Sequence, residues 1–124
     1  MNIKEKTSEL KIKGLSLAAL SMGKAIEDNP FGPEILVFRI FDTRGPLFAI
    51  ISEKKEILNV RVSPEFFLAA DTFIGIEKMK VWKHWVSVDF TLVSDEKILT
   101  DYVKESWYEV RENLPIKKRN RLQI

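Results

Sequence analysis

Three successive β-type runs, Ile35-Leu-Val-Phe-Arg-Ile-Phe41, Leu47-Phe-Ala-Ile-Ile-Ser52 and Ile57-Leu-Asn-Val-Arg-Val62, constrain this chain more than any other feature. Each is dense in β-branched or aromatic residues, which suit a pleated, half-buried surface. Short polar turns separate them, Asp42-Thr43-Arg44-Gly45-Pro46 and then Glu53-Lys54-Lys55-Glu56. Such turns predict an antiparallel meander with charged tips in water. Further on, His84 to Val93 alternates, with Val86, Val88, Phe90 and Leu92 on one face and Trp85, Ser87, Asp89 and Thr91 on the other. That period of two predicts a fourth strand with one face wet.

Helical signals surround this sheet. Leu15 to Leu20 sets Leu15, Ala18 and Ala19 beside Leu17 and Leu20, as a helix packing onto a sheet would, and Gly23 is expected to close it in the left-handed conformation. Residues 1–13 read either as a frayed lead-in or as the first turns of that helix. Asn29-Pro30-Phe31-Gly32-Pro33 is a turn, because its prolines and glycine break regular structure. Ser63-Pro64-Glu65 supplies an N-cap, a proline at the first helical position and an acid at the positive dipole end, predicting a short helix to about Asp71. Ser94-Asp95-Glu96 opens a last helix whose apolar positions, Ile98, Leu99, Tyr102, Val103, Ser106, Trp107, Val110 and Leu114, recur at helical spacing until Pro115 ends it. The expected architecture is α+β, a four-stranded, mainly antiparallel sheet with packed helices in the order αβββαβα.

The chain is 124 residues long, which fits one domain spanning 1–124 and burying about 65% of its unfolded surface. With 45% hydrophobic and 31% charged residues, neither disorder nor a membrane span is indicated. The longest uncharged apolar run, Gly14 to Gly23, is too short to cross a bilayer, and no apolar h-region follows the first charged residues. A cytoplasmic location is expected. There are no cysteines, which excludes disulfides, thiolate metal sites and cysteine nucleophiles.

The net charge of +2 is small but segregated. From Trp85 to Leu114 three basic residues face seven acidic ones, whereas the tail from Pro115 to Ile124 holds Lys117, Lys118, Arg119 and Arg121 and no acid. A second basic cluster, Lys78, Lys80 and Lys83, adjoins Trp82, Trp85 and the single histidine, His84. One histidine without cysteine or clustered carboxylates makes no zinc site. Glu27-Asp28 and Asp95-Glu96 sit at a turn and a cap rather than as a convergent acid/base pair, and the five glycines are too dispersed to cradle a phosphate. No enzymatic activity, metal or cofactor is expected. Ser106 is expected to bond a carbonyl of its own helix.

A set of ordered pieces carries a resemblance. Asn29-Pro30-Phe31-Gly32, Phe38 and Phe48-Ala49 in a hairpin, Val60-Arg61 before Ser63-Pro64-Glu65, Lys83-His84-Trp85 opening a strand, and Ser106-Trp107 before Leu114-Pro115-Ile116-Lys117-Lys118 together resemble the MmcQ/YjbR family. The likeness runs from about Leu15 to Leu122. It implies an α+β fold with a double-wing arrangement and a DNA-binding role. Arg61 takes the place of a family lysine, His84-Trp85 that of the His-Trp pair, and Lys117 and Lys118 that of the basic end. Two departures stand out. Pro46-Leu47 replaces the lysine before Phe-Ala and leaves Arg44 as the nearest cation, and Trp107 stands where the family has tyrosine.

The leading expectation is a DNA-binding protein of weak sequence preference whose hairpin tips act as wings. Its phosphate contacts are Arg44, Lys54, Lys55, Arg61, Lys83, Lys117, Lys118, Arg119 and Arg121. The alternative is a small-molecule or protein interaction module with a groove lined by Phe31, Trp82, His84, Trp85 and Trp107. No membrane partner is expected.

Overall fold

The computed structural model describes residues 3 to 124, with side chains from Ser8 onward. Met1 and Asn2, part of the stretch read as a lead-in, lie outside the described residues. The first helix, α1, spans Ile3–Leu20, so the lead-in reading of residues 3–13 gives way to helix. It is followed by β1 (Ala25–Asp28), β2 (Ile35–Ile40), β3 (Leu47–Ser52) and β4 (Ile57–Arg61). A short α2 (Pro64–Ala69) then runs into a 3-10 turn at Ala70–Thr72. The chain finishes with β5 (Ile76–Lys78), β6 (Trp85–Asp89), α3 (Glu96–Glu112) and α4 (Ile116–Leu122).

Among the described residues the sheet is antiparallel throughout and has six strands, not the four expected, in the order β1-β2-β3-β4-β6-β5. The meander of β2, β3 and β4 has the predicted strands within a residue or so of their ends. The two additional strands are the outermost ones, four and three residues long, too short to show a period of two.

Alternation along the strands divides the sheet into two faces. Phe38, Ile51, Leu58, Val60, Val86 and Val88 have no exposed surface and lie in the core with Leu15 and Ala19 of α1 and Leu99, Val103 and Val110 of α3. Each of the Val, Leu, Ile and Phe side chains among them contributes about 1.5–3 kcal/mol by leaving water. The opposite face carries Arg39, Asn59, Arg61, Trp85, Ser87 and Asp89, in which the Asn59 amide donates to Ser87 Oγ at 2.7 Å. Helices α1 and α3 pack on each other and on the apolar face.

A bulge lies where Phe38 pairs with Ala49 but Arg39 pairs with Leu47, leaving Phe48 as the extra residue of β3. The bulge turns Phe48 into the core, its ring 6.4 Å from that of Phe38. Its carbonyl accepts a hydrogen bond from Ser106 Oγ at 2.5 Å, while the Arg61 amide donates to the same hydroxyl at 2.8 Å. The fully buried Ser106 therefore joins two strands across the bulge instead of bonding its own helix, because two stranded backbone groups need it there.

Helix ends follow the expected capping chemistry with two corrections. Ser63 Oγ accepts from the Phe66 amide, and Asp95 accepts from the amides of Lys97 and Ile98. The left-handed residue after α1 is Lys24, at φ 57°, rather than Gly23. Gly23 is small for a different reason: Trp107 lies against it, and Trp107 Nε1 donates to its carbonyl at 3.0 Å. The basic stretch after Pro115 is a helix rather than an extended tail, anchored by buried Leu122 and by Ile124 against the core.

Candidate functional site

Consecutive turns of an antiparallel meander fall at opposite ends of the sheet. The turn bearing Arg44 joins β2 to β3 at what is here the upper end, and the turn bearing Lys54 and Lys55 joins β3 to β4 at the lower end. A six-residue strand separates them by about 20 Å. The two hairpin tips therefore do not form one pair of wings, a correction dictated by strand direction alone.

The register assigns the remaining cations. Arg61 ends β4 at the upper end, directly opposite Trp85, which starts β6. Residues 79–84 join β5 to β6 above that pair, bringing Lys80 and Lys83 to the same end. Ala25 pairs with Ile40, so Lys24 is there too. Helix α3 finishes nearby, as the bond from Trp107 to Gly23 shows, and α4 follows it. Lys117, Lys118 and Arg121 are exposed. Arg119 is half-buried and ion-paired to Glu112 at 3.6 Å, which separates it from the other three. Lys80 belongs to the basic cluster already read from the sequence, whereas Lys24 was not singled out there, because only the pairing of β1 with β2 places it.

The expected aromatic groove does not form. Phe31 lies in the β1–β2 turn at the lower end and is 64% exposed. Trp82 and Trp85 contact each other edge-to-face at 5.2 Å at the upper end, Trp85 on the face away from the helices. Trp107 is on the helical side, 7% exposed and committed to Gly23. His84 takes a left-handed backbone (φ 67°), its carbonyl accepts from the Val62 amide at 2.8 Å, and its ring packs edge-on to Phe67. Two ends and two faces of the sheet separate these five residues.

Concave surfaces occur elsewhere. One, of about 810 Å³, wraps the β5 edge between Phe67, Phe73, Met79, Ser87, Asp89 and Leu92. Another, of about 440 Å³, runs between the start of α2 and the solvent side of α3. Its apolar floor is Val62, Phe66, Ile98, Tyr102 and Tyr108, and its rim holds Asp101, Glu105 and Glu109. These carboxylates recur every fourth residue, so they form one line along α3. That spacing was legible in the sequence, but the facing wall from α2 was not. Burial, and then the Glu105 carboxylate, push the Tyr102 phenol above its ordinary value. Asp89 is held below the usual carboxylate range, chiefly by the Thr91 hydroxyl that donates to it.

Among the described residues no helix is long and apolar enough to cross a membrane. A search of curated proteins finds no match. In overall fold the chain is similar to the crystal structure of Deinococcus radiodurans protein DR2400, of domain DUF419, with a TM-score of 0.76 and 21% identity over 91% of this chain and 88% of that one. The family model described as YjbR matches residues 20–109, which takes in every strand and most of α3. On that match over most of its length, the chain belongs to the YjbR family.

Proposed function

We propose that this protein is a binding module rather than an enzyme, and that it holds the phosphate backbone of DNA at the upper end of the sheet. Arg44, Arg61 and Lys83 serve as contacts there, together with Lys117, Lys118 and Arg121 of α4. The observation that carries the reading is topological. Antiparallel register gathers cations from separate segments at one end, beside Trp82, a residue 38% exposed that offers a stacking surface next to Lys83. These side chains come from two loops, a strand end and a seven-residue helix rather than from one long recognition helix, so binding follows charge more than base sequence.

The test is fluorescence anisotropy of a mixed-sequence duplex titrated with protein at low and then physiological salt. The Arg44→Ala/Lys83→Ala/Lys117→Ala variant is expected to show a shallower salt dependence, by about 0.9 log units per lost contact. Lys54→Ala/Lys55→Ala, at the far end, is expected to leave affinity unchanged. No binding by the wild type at low salt, or equal loss in both variants, overturns the proposal.

A further inference from the structure

The groove between α2 and α3 has a counterpart of opposite charge on the same molecule. Leu122 is buried and Arg119 half-buried, so the outward face of α4 presents Ile116, Lys117, Asn120 and Arg121. Lys117 and Arg121 are one helical turn apart, and so are Glu105 and Glu109 on the groove rim. Among the described residues none of these four is in an ion pair, while Asp101 is taken by Lys97 at 3.1 Å. Ile116 is 67% exposed on α4, and Ile98 and Tyr108 are exposed in the groove. An amphipathic helix laid into an apolar groove with matched charges is a common mode of recognition.

We propose that the α2–α3 groove receives α4 of a second copy of this chain, giving a weak two-fold dimer. Glu109 and Tyr108 lie near the end of α3 that leads into α4, so groove and helix share one end of the molecule. A single two-fold axis at that end satisfies both reciprocal contacts, as an isologous interface requires. Lys117 and Arg121 face Glu105 and Glu109, and Ile116 enters the aromatic floor. The rim pairs are partly solvated, so association weakens with salt. Because the proposed DNA contacts use the same cations, the duplex and the partner's groove compete for α4.

Sedimentation velocity across protein concentration at low ionic strength tests this independently of DNA. The wild type is expected to move from 14.4 kDa towards twice that mass as concentration rises, and back when salt is added. Lys117→Glu/Arg121→Glu and Glu105→Lys/Glu109→Lys, each with native circular dichroism, are each expected to stay monomeric. Mixed in equal amounts they are expected to form a heterodimer, since both reciprocal contacts are then of opposite charge again. A wild type that remains monomeric throughout, a dimer indifferent to both reversals, or a mixture that fails to associate overturns the proposal. The first of these outcomes leaves the groove to a basic ligand of another kind.

Discussion

Ser106 Oγ donates to the Phe48 carbonyl at 2.5 Å across 58 positions of sequence, fixing α3 to the sheet where β3 is bulged. The same oxygen accepts from the Arg61 amide. Ser106→Ala strands a buried carbonyl and an amide together, and is expected to cost about 3 kcal/mol in urea unfolding, since each unsatisfied group costs about 1–3 kcal/mol. A loss under about 0.5 kcal/mol, the range of an ordinary surface substitution, would mean that a water takes over both bonds.

Gly45 sets the turn that presents Arg44. A Cβ there would lie 1.8 Å from the Ile40 carbonyl oxygen, so the backbone must move to admit one. Gly45→Ala is expected to lower stability by more than about 1 kcal/mol. Because the turn shifts, it is also expected to weaken duplex binding in the anisotropy assay despite leaving every cation in place. Unchanged Tm and unchanged affinity would refute the prediction.

Asp95 caps α3 through its side chain, accepting from the Lys97 amide at 2.9 Å and the Ile98 amide at 3.4 Å. Asp95→Ala is expected to lose about 1 kcal/mol, and Asp95→Asn much less, because asparagine caps comparably. Parallel thermal melts of the two variants separate loss of the cap from loss of charge.

Tyr102 gives a pH signature. Its phenol ionises above the ordinary tyrosine value of 10.0 in the folded chain, through burial and then Glu105. The folded state thus disfavours phenolate, and the contribution to stability is complete below that ordinary value and is lost as pH rises from there through the folded value. Glu105→Gln is expected to bring the phenolate absorbance titration of Tyr102 to lower pH and to weaken this alkaline loss. A titration identical to wild type would remove Glu105 as a cause.

The meander was legible because its three strands are five or six residues long and rich in Ile, Val, Leu and Phe, and the caps at Ser63 and Asp95 were legible because capping is local chemistry. Strand β1, Ala25-Ile-Glu-Asp28, and strand β5, Ile76-Glu-Lys78, were not, since each is held by its neighbour's backbone rather than by its own pattern. Helix α4 reads as a charged tail because Leu122 is its one buried residue, and a single buried position makes no periodic signal. The role of Ser106 depends on a bulge between strands, which no local pattern of residues reveals. Strand direction in the meander, by contrast, was already implied by the turn lengths, and it alone determines that Arg44 and Lys54 point away from each other.

The short edge strand β5 bears on whether another chain could extend the sheet. Gly75 and Met79 engage β6, which leaves the amides of Ile76 and Lys78 directed outward. Neither is available: Ile76 donates to the Phe73 carbonyl at 3.3 Å, and Lys78 to the Asp71 carboxylate at 3.1 Å. An incoming strand that tried to extend the sheet on this side would meet occupied donors and a charged side chain. Occupied outward donors and a charged side chain are among the features by which a sheet margin disfavours pairing with another chain.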